Sequence, residues 1–132
     1  MADYVRTVGL AAPADRAFEC LADPANMPRY VAMMTTATPK GGDTVHVAAD
    51  VEGRHEEGDA RVHADPTRRR LEWGGEGEGG YRGWLEVVEA DEGSSVTVHI
   101  HTEHDRPDDE PVINRGFDET MERIKHLVEG NA

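Results

Sequence analysis

Residues 108–130, DDEPVINRGFDETMERIKHLVEG, decide the fold. Ile113, Phe117, Met121, Ile124 and Leu127/Val128 recur at steps of three and four, which places them on one face of a helix about 30 Å long. Asn114, Arg115, Asp118, Glu119, Glu122, Arg123, Lys125 and Glu129 fill the other face, with Glu119 and Arg123 one turn apart and spaced to pair. The start is marked by Asp108, Asp109 and Glu110, which suit the positive end of the helix dipole, and by Pro111, which suits a first turn that needs no N–H partner. Gly130 supplies the stop. Gly116 costs the helix roughly 1 kcal/mol relative to alanine, which fits either a close approach or a space left open. A stripe this long must be covered by a large apolar surface.

The rest of the chain supplies that surface. Residues 3–10 read as a β-branched strand, followed by a short helix over 13–22 with Ala14, Ala17, Phe18 and Leu21 on one face. Asp23 caps a second helical piece over 24–31, with Met27, Tyr30 and Val31 along its apolar edge. After Met34 the pattern changes to period two. Val45, Val47, Ala49 and Val51 alternate with His46 and Asp50, and Ala60, Val62 and Ala64 alternate with Arg61 and His63. Val96, Val98 and Ile100 likewise alternate with Thr97, His99 and His101. Residues 35–38, 69–73 and 81–88 add three strands, the last with ambiguous facing because Trp84 and Val88 oppose Leu85 and Val87. The glycine-rich acidic stretches 53–58 and 74–80 read as hairpin tips. The expected fold is α+β: seven strands in a curved antiparallel sheet wrapped around the C-terminal helix, with two short helices after the first strand.

Composition limits function. At 132 residues the chain is one domain, residues 1–132. Asp and Glu total 27 against 14 Lys and Arg, a net charge of -13 that disfavours nucleic acid and anionic membranes as partners. Only Lys40 and Lys125 are lysines, a bias consistent with a GC-rich genome or a salty cytoplasm. Cys20 is the single cysteine, so no internal disulfide or Cys-based metal site forms, and a reducing compartment fits. No apolar run reaches membrane-spanning length and none resembles a signal peptide. The expected location is cytoplasmic, as a monomer or homodimer.

Residues 12–18 (APADRAF) running on to 21–30 (LADPANMPRY), together with Met121, Ile124, Lys125, Leu127 and Glu129, resemble the START-related helix-grip (SRPBCC) superfamily, in particular its polyketide cyclase/dehydrase-like members. The resemblance covers essentially the whole chain. Two departures concern subfamily: Tyr30 stands where tryptophan is usual, and the proline that often follows is absent. The resemblance implies a cavity between concave sheet and long helix, entered near the short helix pair, for a small hydrophobic or aromatic ligand. Its expected lining is Met27, Tyr30, Met34, Val47, Ala49, Val62, Leu71, Trp73, Tyr81, Leu85, Val87, Val98, Ile100, Phe117, Met121 and Ile124. Many of these are small, and aromatic residues make up only 5% of the chain, so the wall suits an unfilled space. Met27, Met33, Met34 and Met121 would make its mouth adaptable.

The histidines His46, His63, His99 and His101 fall on the solvent side by parity without a fixed carboxylate spacing, so no metal and no cofactor is expected. Arg68-Arg69-Arg70 reads as a solvated basic run with glutamates nearby. No phosphate loop or Ser/His/Asp set is visible. Three functions remain: a binding or carrier protein for a hydrophobic metabolite, including lipid; a polyketide cyclase/dehydratase using Tyr30, Tyr81 and Thr102 as hydrogen-bonding groups, with Arg29 at the mouth; and a protein-interaction domain presenting Met27, Tyr30 and Met33.

Overall fold

In the computed structural model, which describes residues 2–32, 34–51, 53–75, 82–102 and 110–130, the elements follow in the expected order. Strand β1 (Ala2–Leu10) leads to helix α1 (Ala14–Ala22), a 3-10 turn (Pro24–Asn26) and the short helix α2 (Met27–Tyr30). Six strands follow: β2 (Met34–Gly41), β3 (Thr44–Val51), β4 (Arg54–Asp65), β5 (Arg70–Gly75), β6 (Arg82–Ala90) and β7 (Gly93–Thr102). Helix α3 (Glu110–Glu129) ends the order. The seven strands form one antiparallel sheet in the order β1-β7-β6-β5-β4-β3-β2, and α3 packs across its concave side. This is the helix-grip fold.

Local chemistry explains the joints. Asp23 accepts a hydrogen bond from the Ala25 amide at 3.0 Å, as a capping aspartate should, and the Asn26 side chain donates to the Cys20 carbonyl at 2.9 Å. The Tyr30 hydroxyl donates to the Leu21 carbonyl at 2.7 Å, so α2 is fastened to the end of α1. Gly93 sits at φ 148°, and a Cβ there would run into the Leu10 carbonyl and the Ala12 amide, so only glycine lets the β6–β7 turn pass beneath the β1–α1 joint. Ser94, buried beside it, donates to the Ala12 carbonyl at 2.8 Å.

Two boundaries differ from the expected ones. Of residues 53–58 only Gly53 belongs to the hairpin tip: β4 begins at Arg54 and pairs with β3 from Arg54↔Val51 to Arg61↔Thr44. Its outward side chains are gripped across the ladder, with His55 bonded to Asp50 at 3.0 Å and His46 to Asp59 at 2.9 Å, which outweighs the weak strand propensity of an acidic, glycine-containing stretch. Arg69 belongs to the turn before β5 rather than to the strand, with φ at 51°. Its guanidinium is held by Asp15 at 2.7 Å and Glu89 at 3.2 Å, which ties α1 to the sheet and fixes this left-handed residue in place.

Candidate functional site

Register settles which side chains face the helix. Leu71 opposes Leu85, which opposes Val98, and Val87 opposes Val96, so strand β6 turns Leu85 and Val87 inward and Trp84 and Val88 outward. The inner surface then divides into two parts. In the first, beneath α1 and the C-terminal half of α3, Phe18, Leu21, Leu71, Leu85, Val87, Val96, Phe117 and Ile124 are all at most 5% exposed. This is close-packed core, where each fully buried aliphatic or aromatic side chain contributes about 1.5–3 kcal/mol.

The second part is different. Met34, Ala37, Val47, Ala49, Val62, Trp73, Ile100 and Ile113 lie on the same concave surface or on the first turn of the helix above it, yet each remains partly exposed. Gly58, which opposes Val47, shows why: a Cβ built there meets no atom within 4 Å. Together they form a shallow, partly exposed apolar strip, the trough, packed along one side against the core. Its inner end is set by Trp73, whose indole lies across Gly83, so closely that a Cβ on Gly83 would stand 2.8 Å from the ring and 2.5 Å from the His99 carbonyl.

The expected lining therefore separates. Met34, Val47, Ala49, Val62, Trp73 and Ile100 meet in the trough, whereas Met27, Tyr30, Leu71, Leu85, Val98, Phe117, Met121 and Ile124 are buried in the packed part or at its border. Ala37, Gly58 and Ile113 join the trough without having been singled out for it. The alternation of β2 and the helical stripe that begins at Ile113 were the signals for two of them. Tyr81 and Met33 lie outside the described residues, as does the side chain of Thr102. Met27 and Tyr30 are 5% and 3% exposed, so they present no apolar patch to a partner.

Among the described residues the polar groups at or near the trough include Glu56, which opposes Ala49 on the same face of the sheet. Burial pushes the Tyr30 hydroxyl well above the usual tyrosine range, so it stays protonated while it donates to Leu21. Arg6, on the concave side of β1, reaches the helix: it donates to Asp118 at 2.9 Å and to Asn114 at 2.7 Å, and its guanidinium lies 5.1 Å from the centre of the Phe117 ring. The Thr120 hydroxyl accepts from the Ala32 amide at 2.9 Å, securing the segment after α2. Arg29 is exposed.

The outer face has the opposite character. His46 and His55 share Glu57, His63 meets Asp43, and His99 and His101 both donate to one oxygen of Asp3, at 2.9 and 2.8 Å. Hydrogen bonds from His99 and then His101 hold the Asp3 carboxyl below its usual range. Among the described residues no group of three or more His, Cys, Asp or Glu is arranged to hold a metal ion. Arg70 is paired with Glu72 at 2.8 Å and Glu86 at 3.2 Å and lies 4.4 Å from the centre of the Trp84 ring, so Arg69 and Arg70 of the basic run are both matched by acids.

A curved sheet gripping a long helix along its concave side is the architecture of the helix-grip class of α+β proteins. Residues 1–129 match the family described as polyketide cyclase / dehydrase and lipid transport, and the chain belongs to it. No curated protein matches the sequence. Among solved structures, the Zhui aromatase/cyclase from Streptomyces sp. R1128 is 19% identical with a TM-score of 0.75, covering 96% of this chain and 93% of that one. A START superfamily protein from Mycobacterium smegmatis is 14% identical with a TM-score of 0.75, covering 97% and 94%. The di-domain ARO/CYC BexL of the BE-7585A biosynthetic pathway is 20% identical with a TM-score of 0.72 over 99% of this chain, which spans 46% of BexL. At these identities the likeness is one of fold. No helix among the described residues is long and apolar enough to cross a membrane.

Proposed function

We propose that this protein binds or carries a small hydrophobic or aromatic metabolite in the trough between β2–β5, the far end of β7 and the first half of α3. One observation carries the reading: inward-facing apolar side chains stay partly exposed there, and the Gly58 position opens onto empty space. Apolar surface left uncovered on a concave wall is surface a guest can cover, at about 25 cal/mol for each Å² removed from water. Among the described residues the lining is mostly apolar, with Glu56 opposite Ala49 as a charged member, which supports the holding of a hydrophobic guest. A cyclase or dehydratase must move protons, and Tyr30, one of the three hydroxyls suggested for that task, is already engaged by Leu21.

The test is native mass spectrometry of protein purified without detergent, beside a Gly58→Phe variant whose ring enters the trough. The expected result is a retained mass of a few hundred daltons in the parent and its loss in a folded variant. Equal retention in both would place the ligand elsewhere, and no retained mass after a broad lipid and aromatic screen would overturn the proposal.

A further inference from the structure

The outer face of the sheet carries a depression of about 370 Å³, on the opposite side from the trough. Its walls are Asp3 of β1, Glu72 of β5, Arg82 and Trp84 of β6, and His99 and His101 of β7. Trp73 and Gly83 also line it, and since Trp73 turns its side chain inward, the two reach it through the sheet backbone. That volume suits a small organic molecule.

An inventory of donors and acceptors indicates which kind. Asp3 accepts from two imidazoles, and Glu72 accepts from the Arg70 Nε at 2.8 Å, so both carboxylates are engaged by protein donors. Two donors are not. Neither the Arg82 guanidinium nor the Trp84 indole N–H has a hydrogen-bond partner among the described residues. Arginine presents five N–H groups in a planar fork that matches a carboxylate or phosphate, and an occupant that satisfies it must bring acceptors of its own. Trp84 lines the depression with its ring tilted against His99, 5.4 Å between centres, while the Arg70 guanidinium lies 4.4 Å from the ring centre.

We propose that this outer pocket binds a small organic oxyanion, a carboxylate or phosphate carried on a flat apolar body, with Arg82 receiving the anion and the body lying beside the Trp84–His99 pair. Arg82 is exposed and supports no packing, so Arg82→Gln leaves the fold intact. Titrations of the whole chain with benzoate, phenyl phosphate and neutral benzamide, read by NMR at the Trp84 indole and the His99 and His101 rings, test the assignment. Saturable binding of at least one of the two anions is expected, with benzamide and the Arg82→Gln protein each weaker by about tenfold or more. The stronger anion identifies the preferred head group. Benzamide binding as tightly as the anions, an unchanged affinity in Arg82→Gln, shifts confined to the trough residues Met34 and Val47, or no saturable binding of either anion would overturn it.

Discussion

The two parts of the concave surface are written in the same alternating pattern yet end in different states. Leu71, Leu85 and Val98 face inward beneath two helices and are at most 3% exposed, while Val47, Val62 and Ile100 face the same way and remain partly open. The difference lies in what covers them. Around Leu85, α1 and α3 close over the sheet at β6 and β7, while β2 is met instead by the short α2 and the 3-10 turn before it. Alternation tells which face avoids water, and it does not tell whether protein or guest will occupy the space above that face.

Truncation should separate the two parts most strongly. Leu85→Ala empties a packed site and is expected to cost about 2–5 kcal/mol in denaturant unfolding, whereas Ile100→Ala, at a partly exposed position, should cost well under half as much. Equal losses would mean that the trough is packed after all. Enlargement should do the reverse. Met121, 7% exposed, sits among the core residues of α3, so Met121→Trp is expected to overpack it and cost about 1–3 kcal/mol, while Val47→Trp, placed over the trough, should leave the unfolding midpoint unchanged and abolish ligand retention. A stable Met121→Trp protein that no longer binds would move the centre of the ligand space toward α3.

The smallest effect concerns the outer face, where histidine and carboxylate replace aliphatic packing. Hydrogen bonds to Asp59 and Glu57 raise His46, and hydrogen bonds to Glu57 and Asp50 raise His55, both from an ordinary value of 6.5. Stability from these groups is fully present below pH 6.5 and is lost as pH rises through their folded values. Asp3 and Glu57 are lowered from 3.8 and 4.5, so their contribution is present above those values and is lost as pH falls through the folded ones. The thermal midpoint should therefore peak between about pH 4.5 and 6.5 and decline on the alkaline side, and His46→Gln with His55→Gln should flatten that decline. A midpoint that climbs steadily from pH 5 to 8 would show that the ladder contributes nothing, as many exposed pairs do.

Much of this architecture was legible because its signals are local. The stripe from Ile113 to Val128, Pro111 in the first turn and Asp23 before Pro24 each announce an element within a few residues, and the α3 pair Glu119–Arg123 forms at 2.6 Å as its spacing suggests. What stayed hidden depends on register. The start of β4 looks like a loop until His55 and Asp50 are seen to be cross-strand partners, and Arg69 takes a conformation usually left to glycine because Asp15 and Glu89, distant in sequence, receive its side chain. Alternation made the inward facing of Val47, Val62, Leu71, Val98 and Ile100 legible, but not the line between packed and open. That line depends on how far α1 extends over a curved sheet, and Gly58 gives no hint of it in isolation. The outer pocket was hidden for the same reason, since its walls come from four strands.

The fastening of α3 by Arg6 has a thermodynamic consequence. Bonds to Asp118 and Asn114, with the cation lying over Phe117, hold the first half of the helix to the edge strand without requiring anything beneath it. A guest entering such a pre-formed space buries apolar surface without first ordering the chain around it. Binding should then carry a negative heat-capacity change set by the contact area alone, without the larger change and ordering cost that accompany folding upon binding.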